Sequence, residues 1–208
     1  MTNLGSYENL NGFNPPRRVD TPNFVLRIFS AHDVPALQHS LEQSEAHLRA
    51  WTPWVIDGRV PGLSLEQRLA IDADAFASGE RWVYGIFSTD GADVLGGCGM
   101  YPRVGPRAVE IGYWVAASHT RRGIARSATA ELTRIAFACP DIDHIDIRCE
   151  PRNVVSARVA SGLGYCLIEP SAGENTTPIE GADATPLQTW RMKREEFLRE
   201  LSGRGVPS

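Results

Sequence analysis

Apolar and polar residues recur with different periods along the chain, and each change of period marks an expected element. Densely β-branched or aromatic runs bounded by turn residues, such as Asp90-Gly91, predict strands. Apolar spacings of three and four from Ile124 to Cys139 predict an amphipathic helix. The predicted strands cover residues 24–29, 81–89, 94–104, 109–115, 144–150, 165–168 and 187–192, and the predicted helices begin near Asp33, Ser64, Ile124 and Asn153, with a charged helix at the C-terminal end.

The order of these elements predicts an α+β fold in one domain. The three strands between residues 81 and 115 are joined by short turns and should form an antiparallel meander. The sequence shows no internal repeat and no second domain boundary. We expect a flexible or surface-wrapping lead-in over residues 1–22, the domain over residues 23–200, and a flexible tail over residues 201–208.

The stretch from Val109 to Ala138 combines a strand, a loop and a helix start. Its loop contains Arg121-Arg122-Gly123-Ile124-Ala125, with small residues where the helix begins. N–H groups at a helix start lack internal partners and lie at the positive end of the helix dipole, so this place suits an anion such as a pyrophosphate. An ordinary connection between a strand and a helix explains the same residues, and the sequence alone leaves both interpretations open.

Composition narrows the classes of function. With 21 Lys and Arg against 25 Asp and Glu, the net charge of -4 argues against nucleic-acid binding. No apolar run approaches the length of a membrane span and the N-terminus does not resemble a signal peptide, so we expect no membrane partner and a cytoplasmic location. Cys98, Cys139, Cys149 and Cys166 form no CxxC pair, which favours buried, reduced thiols.

Two features that could suggest other cofactors fail on their context. The segment Gly96-Gly-Cys-Gly99 continues a strand instead of opening a helix, so it does not indicate a dinucleotide site. Its glycines are better explained by the close approach of another backbone or a ligand. The five histidines show no metal-ligand spacing with an acidic or cysteine partner, so we expect no metal.

Four segments taken together resemble the GNAT superfamily of N-acetyltransferases, and within it the RimJ/RimL type that acetylates ribosomal-protein N-termini. They are Glu110-Ile-Gly-Tyr-Trp-Val115, Arg122-Gly-Ile-Ala125, Asn153-Val-Val-Ser156 and Gly164-Tyr165. The resemblance extends from Phe24 to about Phe197. It implies a twisted, mixed and mostly antiparallel sheet flanked by helices, with its fourth and fifth strands splayed and acetyl-CoA between them.

The resemblance also implies which residues bind acetyl-CoA. The main chain of Tyr113, Trp114 and Val115 would pair with the pantetheine arm, Asn153 would contact that arm, and Ser156 would lie near the thiol. The backbone N–H groups of Arg121, Arg122, Gly123, Ile124, Ala125 and Arg126 would hold the pyrophosphate. Two positions depart from the family pattern: Thr120 replaces a glutamine or arginine of the phosphate motif, and Ala160 replaces the tyrosine that often protonates the leaving thiolate. That proton would then come from Ser156, a water or another tyrosine.

Amine acetylation requires a neutral amine and a polarised thioester carbonyl. We expect Glu110 to be the catalytic base, because a partly desolvated carboxylate at the splay would have a raised pKa; a structural ion pair with an arginine is the alternative. A backbone N–H near Val115 would serve as the oxyanion donor. Direct attack in a ternary complex is preferred to an acetyl-cysteine, since no histidine is placed to activate a cysteine.

The acceptor side is less strongly indicated. Two tryptophans, Trp51 and Trp54, follow the first helix. The family that the chain resembles has part of its acceptor wall there, although packing in the core is an alternative for either tryptophan. Tyr101, Arg103 and the loop over residues 170–184 would complete this side.

The sequence therefore predicts an acetyl-CoA-dependent N-acetyltransferase that acts on the α-amino group of a protein or peptide. Acetylation of a small amine, such as an antibiotic, polyamine or amino-acid derivative, is the nearest alternative. A non-catalytic acyl-CoA sensor and a protein-interaction domain are alternatives of a different class. A homodimer is common in the family that the chain resembles.

Overall fold

The computed structural model describes residues 10, 12–52, 55–56, 62–168 and 187–203, and an eight-stranded sheet runs through this part of the chain. The strands are Arg18–Asp20 (β1), Val25–Arg27 (β2), Trp82–Phe87 (β3), Val94–Tyr101 (β4), Ala108–Val115 (β5), His144–Cys149 (β6), Cys166–Ile168 (β7) and Gln188–Lys193 (β8). The α-helices are Val34–Arg49 (α1), Leu65–Ser78 (α2), Ile124–Ala138 (α3), Val154–Gly162 (α4) and Arg194–Gly203 (α5).

The strand order is β1-β2-β3-β4-β5-β6-β8-β7, and only β5 and β6 pair in parallel within the described sheet. Strands β3, β4 and β5 form the antiparallel meander that their short turns predicted. The parallel pair follows because α3 carries the chain across the sheet between β5 and β6. The predicted α+β class with a mixed, mostly antiparallel sheet is confirmed.

Strands β5 and β6 pair only at their first residues. Their register runs from Ala108 opposite His144 to Glu110 opposite Asp146 and then ends. Strand β6 continues to pair with β8 along its whole length, so β5 separates from the two of them. Apart from the short additional strand β1, these are the fourth and fifth strands of the sheet, and the predicted splay is confirmed.

Residues before Phe24 contribute more structure than the expected lead-in. Strand β1 pairs antiparallel with β2, and the Tyr84 hydroxyl donates to the Pro16 carbonyl over 2.9 Å. The ring of Phe13 packs edge-on against Trp82 with 4.6 Å between ring centroids. The sequence pattern did not predict β1. A strand of three residues is too short to show a periodic pattern, and it forms by pairing with β2.

Side-chain caps fix the ends of the helices near the site. Helix α2 begins with the predicted capping box: Gln67 N donates to Ser64 Oγ over 3.3 Å, and Ser64 N donates to the Gln67 side chain over 2.9 Å. Asn153 caps α4 by accepting from Ser156 N over 3.1 Å. None of the helices in the described ranges has the length and apolar character needed to cross a bilayer.

Buried side chains form two clusters on opposite faces of the sheet. Neighbouring residues of one strand alternate between the clusters, as Ile86 and Phe87 do on β3, and Leu95 and Val94 on β4. The buried side chains of α3, including Leu132, belong to the larger cluster, and those of α1 belong to the smaller one. The sheet is therefore covered by α3 on one face and by α1 on the other.

The cysteines are free, and their burial differs along the chain. Cys98 and Cys149 are buried, and Cys139 is partly buried. The expectation of burial is wrong for Cys166, because this residue lies on the edge strand β7, where its side chain is exposed.

Candidate active site

The loop before α3 has the backbone conformation of a tight connection. Arg121 and Gly123 both adopt left-handed conformations, with φ of 60° and 77°. A left-handed glycine is unstrained, whereas the same conformation costs an arginine about 1 kcal/mol. Upstream, the Ser44 hydroxyl of α1 accepts from Ala117 N over 2.9 Å and ties this loop to the first helix.

The same loop leaves a row of backbone donors without internal partners. The first intrahelical hydrogen bond of α3 runs from Ser127 N to Gly123 O over 2.9 Å. Within the part of the chain that the structure describes, the N–H groups of residues 121–126 donate to no backbone acceptor. Arg121, Arg122, Gly123 and Arg126 are exposed beside them. We call residues 121–126 the anion loop, since its free N–H groups and cationic side chains fit the pyrophosphate that the sequence suggested.

A cavity of about 240 Å³ extends from the end of α1, across β4 and β5, to the gap between β5 and β6. Its wall brings together several predicted site residues that lie far apart in the sequence: Trp51, Tyr101, Glu110, Tyr113, Trp114, Asn153 and Ser156. Among the described residues, the anion loop and Val115 are not part of this wall. The splay of β5 from β6 therefore provides one space that joins the expected acceptor side to the expected cofactor side.

Glu110 lies at the point where β5 and β6 separate, and two arginines hold its carboxylate. The guanidinium of Arg103 donates to it over 2.7 and 3.0 Å, and Nε of Arg148 donates over 2.6 Å. The side chains of Glu110 and Arg148 are 2% and 3% exposed, so the ion pair is shielded from water.

The expected rise in the pKa of Glu110 is wrong. Burial alone raises this pKa, but the charge and hydrogen bonds of Arg103, followed by those of Arg148, outweigh burial and lower the pKa below its ordinary value. The structure thus shows the ion pair that the sequence left as the alternative. A carboxylate that is already ionised and bound by two cations is a weak proton acceptor, so the reason for assigning it the role of base is lost.

Tyr113 and Trp114 point to opposite faces of β5. Trp114 packs against the smaller cluster, on the α1 face of the sheet. A Cβ atom at Gly97 would lie only 2.5 Å from the indole Nε1 of this tryptophan. A side chain makes this approach at Gly97, whereas at Gly96 a Cβ would lie only 2.3 Å from the backbone oxygen of Trp114, which confirms the expected close approach of another backbone. Tyr113 packs against the larger cluster, on the α3 face of the sheet, and its hydroxyl reaches Ser156, with 2.9 Å between the two side-chain oxygens.

The position of the missing family tyrosine cannot supply a donor. Ala160 is fully buried in α4 as a member of the larger core cluster. The next tyrosine along the chain, Tyr165, is also buried, and its hydroxyl is paired with that of Thr133 over 2.7 Å. Tyr113 is therefore the tyrosine whose hydroxyl lies at the cavity beside Ser156, an arrangement that the sequence did not indicate.

The acceptor side of the cavity contains two aromatic residues with arginines over their rings. Arg152 lies over Trp51 with 5.2 Å to the ring centroid, and Arg103 lies over Tyr101 with 4.6 Å. Trp54 and the predicted loop over residues 170–184 lie outside the described residues. Over the described ranges, no group of three or more His, Cys, Asp and Glu side chains is placed to hold a metal ion.

Sequence reasoning left an arginine partner of Glu110 open but did not identify Arg103 and Arg148 as its partners. Arg148 was visible as a basic residue, and alternation along β6 places its side chain on the same face as Asp146. The pairing with Glu110 depends on the parallel register between β5 and β6, which the sequence does not state. The side-chain role of Tyr113 was missed for a similar reason, since α4 approaches β5 only in the folded chain.

Comparison with known proteins agrees with the resemblance that the sequence motifs showed. Residues 23–165 match the protein-family model described as acetyltransferase (GNAT) domain. No curated protein matches the chain.

Several solved structures share the fold at low sequence identity. RimL, a ribosomal L7/L12 α-N-protein acetyltransferase in complex with coenzyme A, has a TM-score of 0.69 and 20% identity over 86% of this chain and 98% of its own. RimJ of Mycobacterium smegmatis, in complex with CoA-disulfide, has a TM-score of 0.66 and 20% identity over 87% and 89%. The microcin C7 self-immunity acetyltransferase MccE, in complex with acetyl-CoA and AMP, has a TM-score of 0.71 and 14% identity over 87% and 98%.

Proposed function

The chain belongs to the acetyltransferase (GNAT) domain family, and on that basis we propose that it acetylates the α-amino group of a protein or peptide. It is an acetyl-CoA-dependent N-acetyltransferase. The finer choice of acceptor is supported by the likeness to RimL, which is a ribosomal L7/L12 α-N-protein acetyltransferase.

The anion loop and the gap beside β5 would hold acetyl-CoA. Free N–H groups from residues 121–126 would bind the pyrophosphate, helped by the side chains of Arg121 and Arg122. The main chain of residues 113–115 would pair with the pantetheine arm, because β5 loses its partner β6 after Glu110. Asn153 stands at the same gap, although its side-chain oxygen is already used to cap α4. When bound, acetyl-CoA supplies an acetyl group and a thiolate leaving group.

The chemistry of the cavity favours an amine that is neutral without a strong base. With Glu110 bound by two arginines, we propose that water carries the amine proton away. At pH 7.5 about one third of α-amino groups are neutral, against about 0.1% of lysine side chains. This difference supports the α-amino group over lysine.

The remaining groups would contact the acceptor, the thioester oxygen and the leaving sulfur. Trp51 and Tyr101 would form an apolar wall for the acceptor. A backbone N–H near Val115 would donate to the thioester oxygen as negative charge develops. Ser156 would contact the leaving sulfur.

The main support for this proposal is that one cavity is lined by Trp51 and Tyr101 as well as by Tyr113 and Ser156. It is tested by incubating the full chain with acetyl-CoA and pairs of peptides that differ only in a free or a blocked N-terminus. Small amines, including polyamines and amino acids, are measured in parallel. We expect thiol release and a mass increase of one acetyl group for the free peptides alone.

Equal transfer to blocked peptides through lysine would contradict the α-amino assignment. Transfer confined to the small amines would replace it with the small-molecule alternative. Binding of acetyl-CoA without transfer to any acceptor would indicate a sensor and overturn the proposal.

A further inference from the structure

A cationic side chain of the protein itself lies between an aromatic ring and a carboxylate at the mouth of the cavity. Nε of Arg152 donates to the carboxylate of Glu150, and the guanidinium lies 5.2 Å from the centroid of the Trp51 ring. Trp51 and Glu150 line the cavity, whereas Arg152 is not among the described residues of its wall. The Arg152 side chain is 71% exposed, so its guanidinium lies where the cavity opens to solvent.

The ring and the carboxylate are held in place by separate elements. Trp51 follows α1, and its backbone N–H donates to the Leu48 carbonyl over 3.0 Å. Glu150 follows β6, and its carbonyl accepts from Asn153 N over 2.9 Å in the turn that leads to α4. Their backbone positions are therefore fixed by hydrogen bonds in which the Arg152 side chain takes no part.

Glu150 is the carboxylate of the cavity whose ionic partner is the most exposed to water. Among the described residues, the acidic side chains of the wall are Asp72, Glu110 and Glu150. The arginines paired with the first two are at most 17% exposed. An exposed ion pair is weak because water competes with it, so another cation can replace Arg152 at Glu150.

We propose that the Trp51 ring and the Glu150 carboxylate form a binding site for a cationic side chain of the acceptor, and that Arg152 occupies this site until the acceptor displaces it. The face of an aromatic ring and a carboxylate both attract an ammonium or a guanidinium. The proposal rests on the proposed function and narrows its substrate class to peptides with a lysine or arginine shortly after the N-terminus. The site takes such a side chain and not the reacting amine, because it lies at the mouth of the cavity.

The test compares peptides with a free N-terminus, incubated with the full chain and acetyl-CoA. Arginine, glutamine or glutamate is placed at each position in turn after the first residue; arginine is used in place of lysine because its side chain stays charged and does not compete as an acetyl acceptor. At one preferred position, we expect kcat/KM to be about fivefold higher for arginine than for glutamine, mainly through a lower KM.

The two partners of the ion pair should act in opposite directions. Glu150→Gln removes the negative charge of the site, so the preference for arginine should disappear. Arg152→Ala removes the internal competitor, so kcat/KM for the arginine peptide should rise about threefold. Glu131→Gln and Arg134→Ala are the matched controls, because they divide a surface ion pair on α3 with the same changes of charge. They should leave the preference unchanged.

Three results would overturn the proposal. The first is a fall in kcat/KM in both Glu150→Gln and Arg152→Ala, because an ion pair that only supports the structure is lost from either side. The second is a preference for glutamate that disappears in Arg152→Ala, which would make Arg152 itself the contact. The third is an equal rate for arginine and glutamine at each position, or an arginine preference of the same size at all positions, which would reflect only the net negative charge of the chain.

Peptides with a blocked N-terminus supply a second readout, because their binding to the CoA complex requires no transfer. Calorimetry of these peptides should show the same preference for arginine at the same position, and its loss in Glu150→Gln. If that preference is found while no free peptide is acetylated, the proposed acceptor is wrong and the cation site is supported. Acetylation of free peptides without any arginine preference would support the acceptor and overturn the cation site.

Discussion

At the scale of single residues, Glu110 changes most between sequence and structure. Its place at the start of a strand beside the splay suggested a raised pKa, and the fold surrounds it with Arg103 and Arg148 instead. Removing one partner from a buried ion pair leaves the other charges unpaired in a place of low polarity. We therefore expect the loss of Glu110 to appear first in the free energy of unfolding.

Glu110→Gln is expected to lower the free energy of unfolding by about 3–5 kcal/mol, because two shielded arginines lose their counter-charge. Chemical denaturation at pH 7 measures this loss. Glu131→Gln, which removes one partner of the surface pair with Arg134 on α3, serves as the matched control and should cost less than about 1 kcal/mol. Wild-type stability in Glu110→Gln, together with a rate lost selectively at low pH, would restore Glu110 as the base.

At the scale of elements, the start of α3 shows how a loop acquires a binding function. The amphipathic pattern of α3 was readable because buried residues of a helix on a sheet must repeat every three or four positions. Ile124, Ala128, Leu132 and Ile135 are buried as that pattern predicted. The N–H groups at the start of α3 are free because the first turn of a helix has no preceding carbonyls to pair with, and the left-handed residues Arg121 and Gly123 set the path of the chain into that turn.

Gly123→Ala is expected to weaken acetyl-CoA binding about tenfold, because a Cβ in the left-handed region strains the anion loop and shifts its donors. Gly91→Ala is a close control: Gly91 has the same φ of 77°, no atom lies within 4 Å of its Cβ position, and it belongs to the hairpin between β3 and β4. Both variants should lose about 1 kcal/mol of stability. Calorimetric binding of acetyl-CoA that is equally weak in both, or unchanged in Gly123→Ala, would argue against the anion loop.

At the scale of the whole molecule, buried ion pairs connect distant parts of the chain and determine its behaviour in acid. Glu110 joins β5 to β6, and Asp33 at the start of α1 accepts two hydrogen bonds of 2.7 Å from Arg27 on β2. Burial raises the pKa of Asp33, but hydrogen bonds from Arg27 and Ser30, together with the charge of Arg27, bring it below the ordinary value. Both carboxylates therefore bind protons less readily in the folded chain than in the unfolded one.

Stability should accordingly be insensitive to these two groups above about pH 5, where both are ionised in either state. Below about pH 4 the unfolded chain takes up protons first, so the free energy of unfolding should fall as pH drops towards the lower pKa values of the folded state. Urea denaturation at several pH values between 3 and 7 measures the slope. Glu110→Gln should show a shallower fall than the wild type, and an equal slope would remove Glu110 as a cause.

The sequence by itself determined the elements from Phe24 onwards, their order and the class of chemistry. Local rules set these features: the period of apolar residues in α3, the capping box at Ser64, and the turn at Asp90-Gly91 each depend on residues close in the chain. The segments around Gly112, Gly123 and Asn153 indicated the family for the same reason, since each is a local motif.

Only the tertiary structure decided which side chains meet. The parallel register that brings Arg148 to Glu110, the approach of α4 that brings Ser156 to Tyr113, and the pairing that adds β1 all join residues distant in sequence. Protonation states depend on such neighbours, so the pKa of Glu110 could not be inferred from its place on a strand. The chain's local patterns therefore specified an acetyltransferase scaffold, and its long-range contacts specified how the groups of the site are charged and paired.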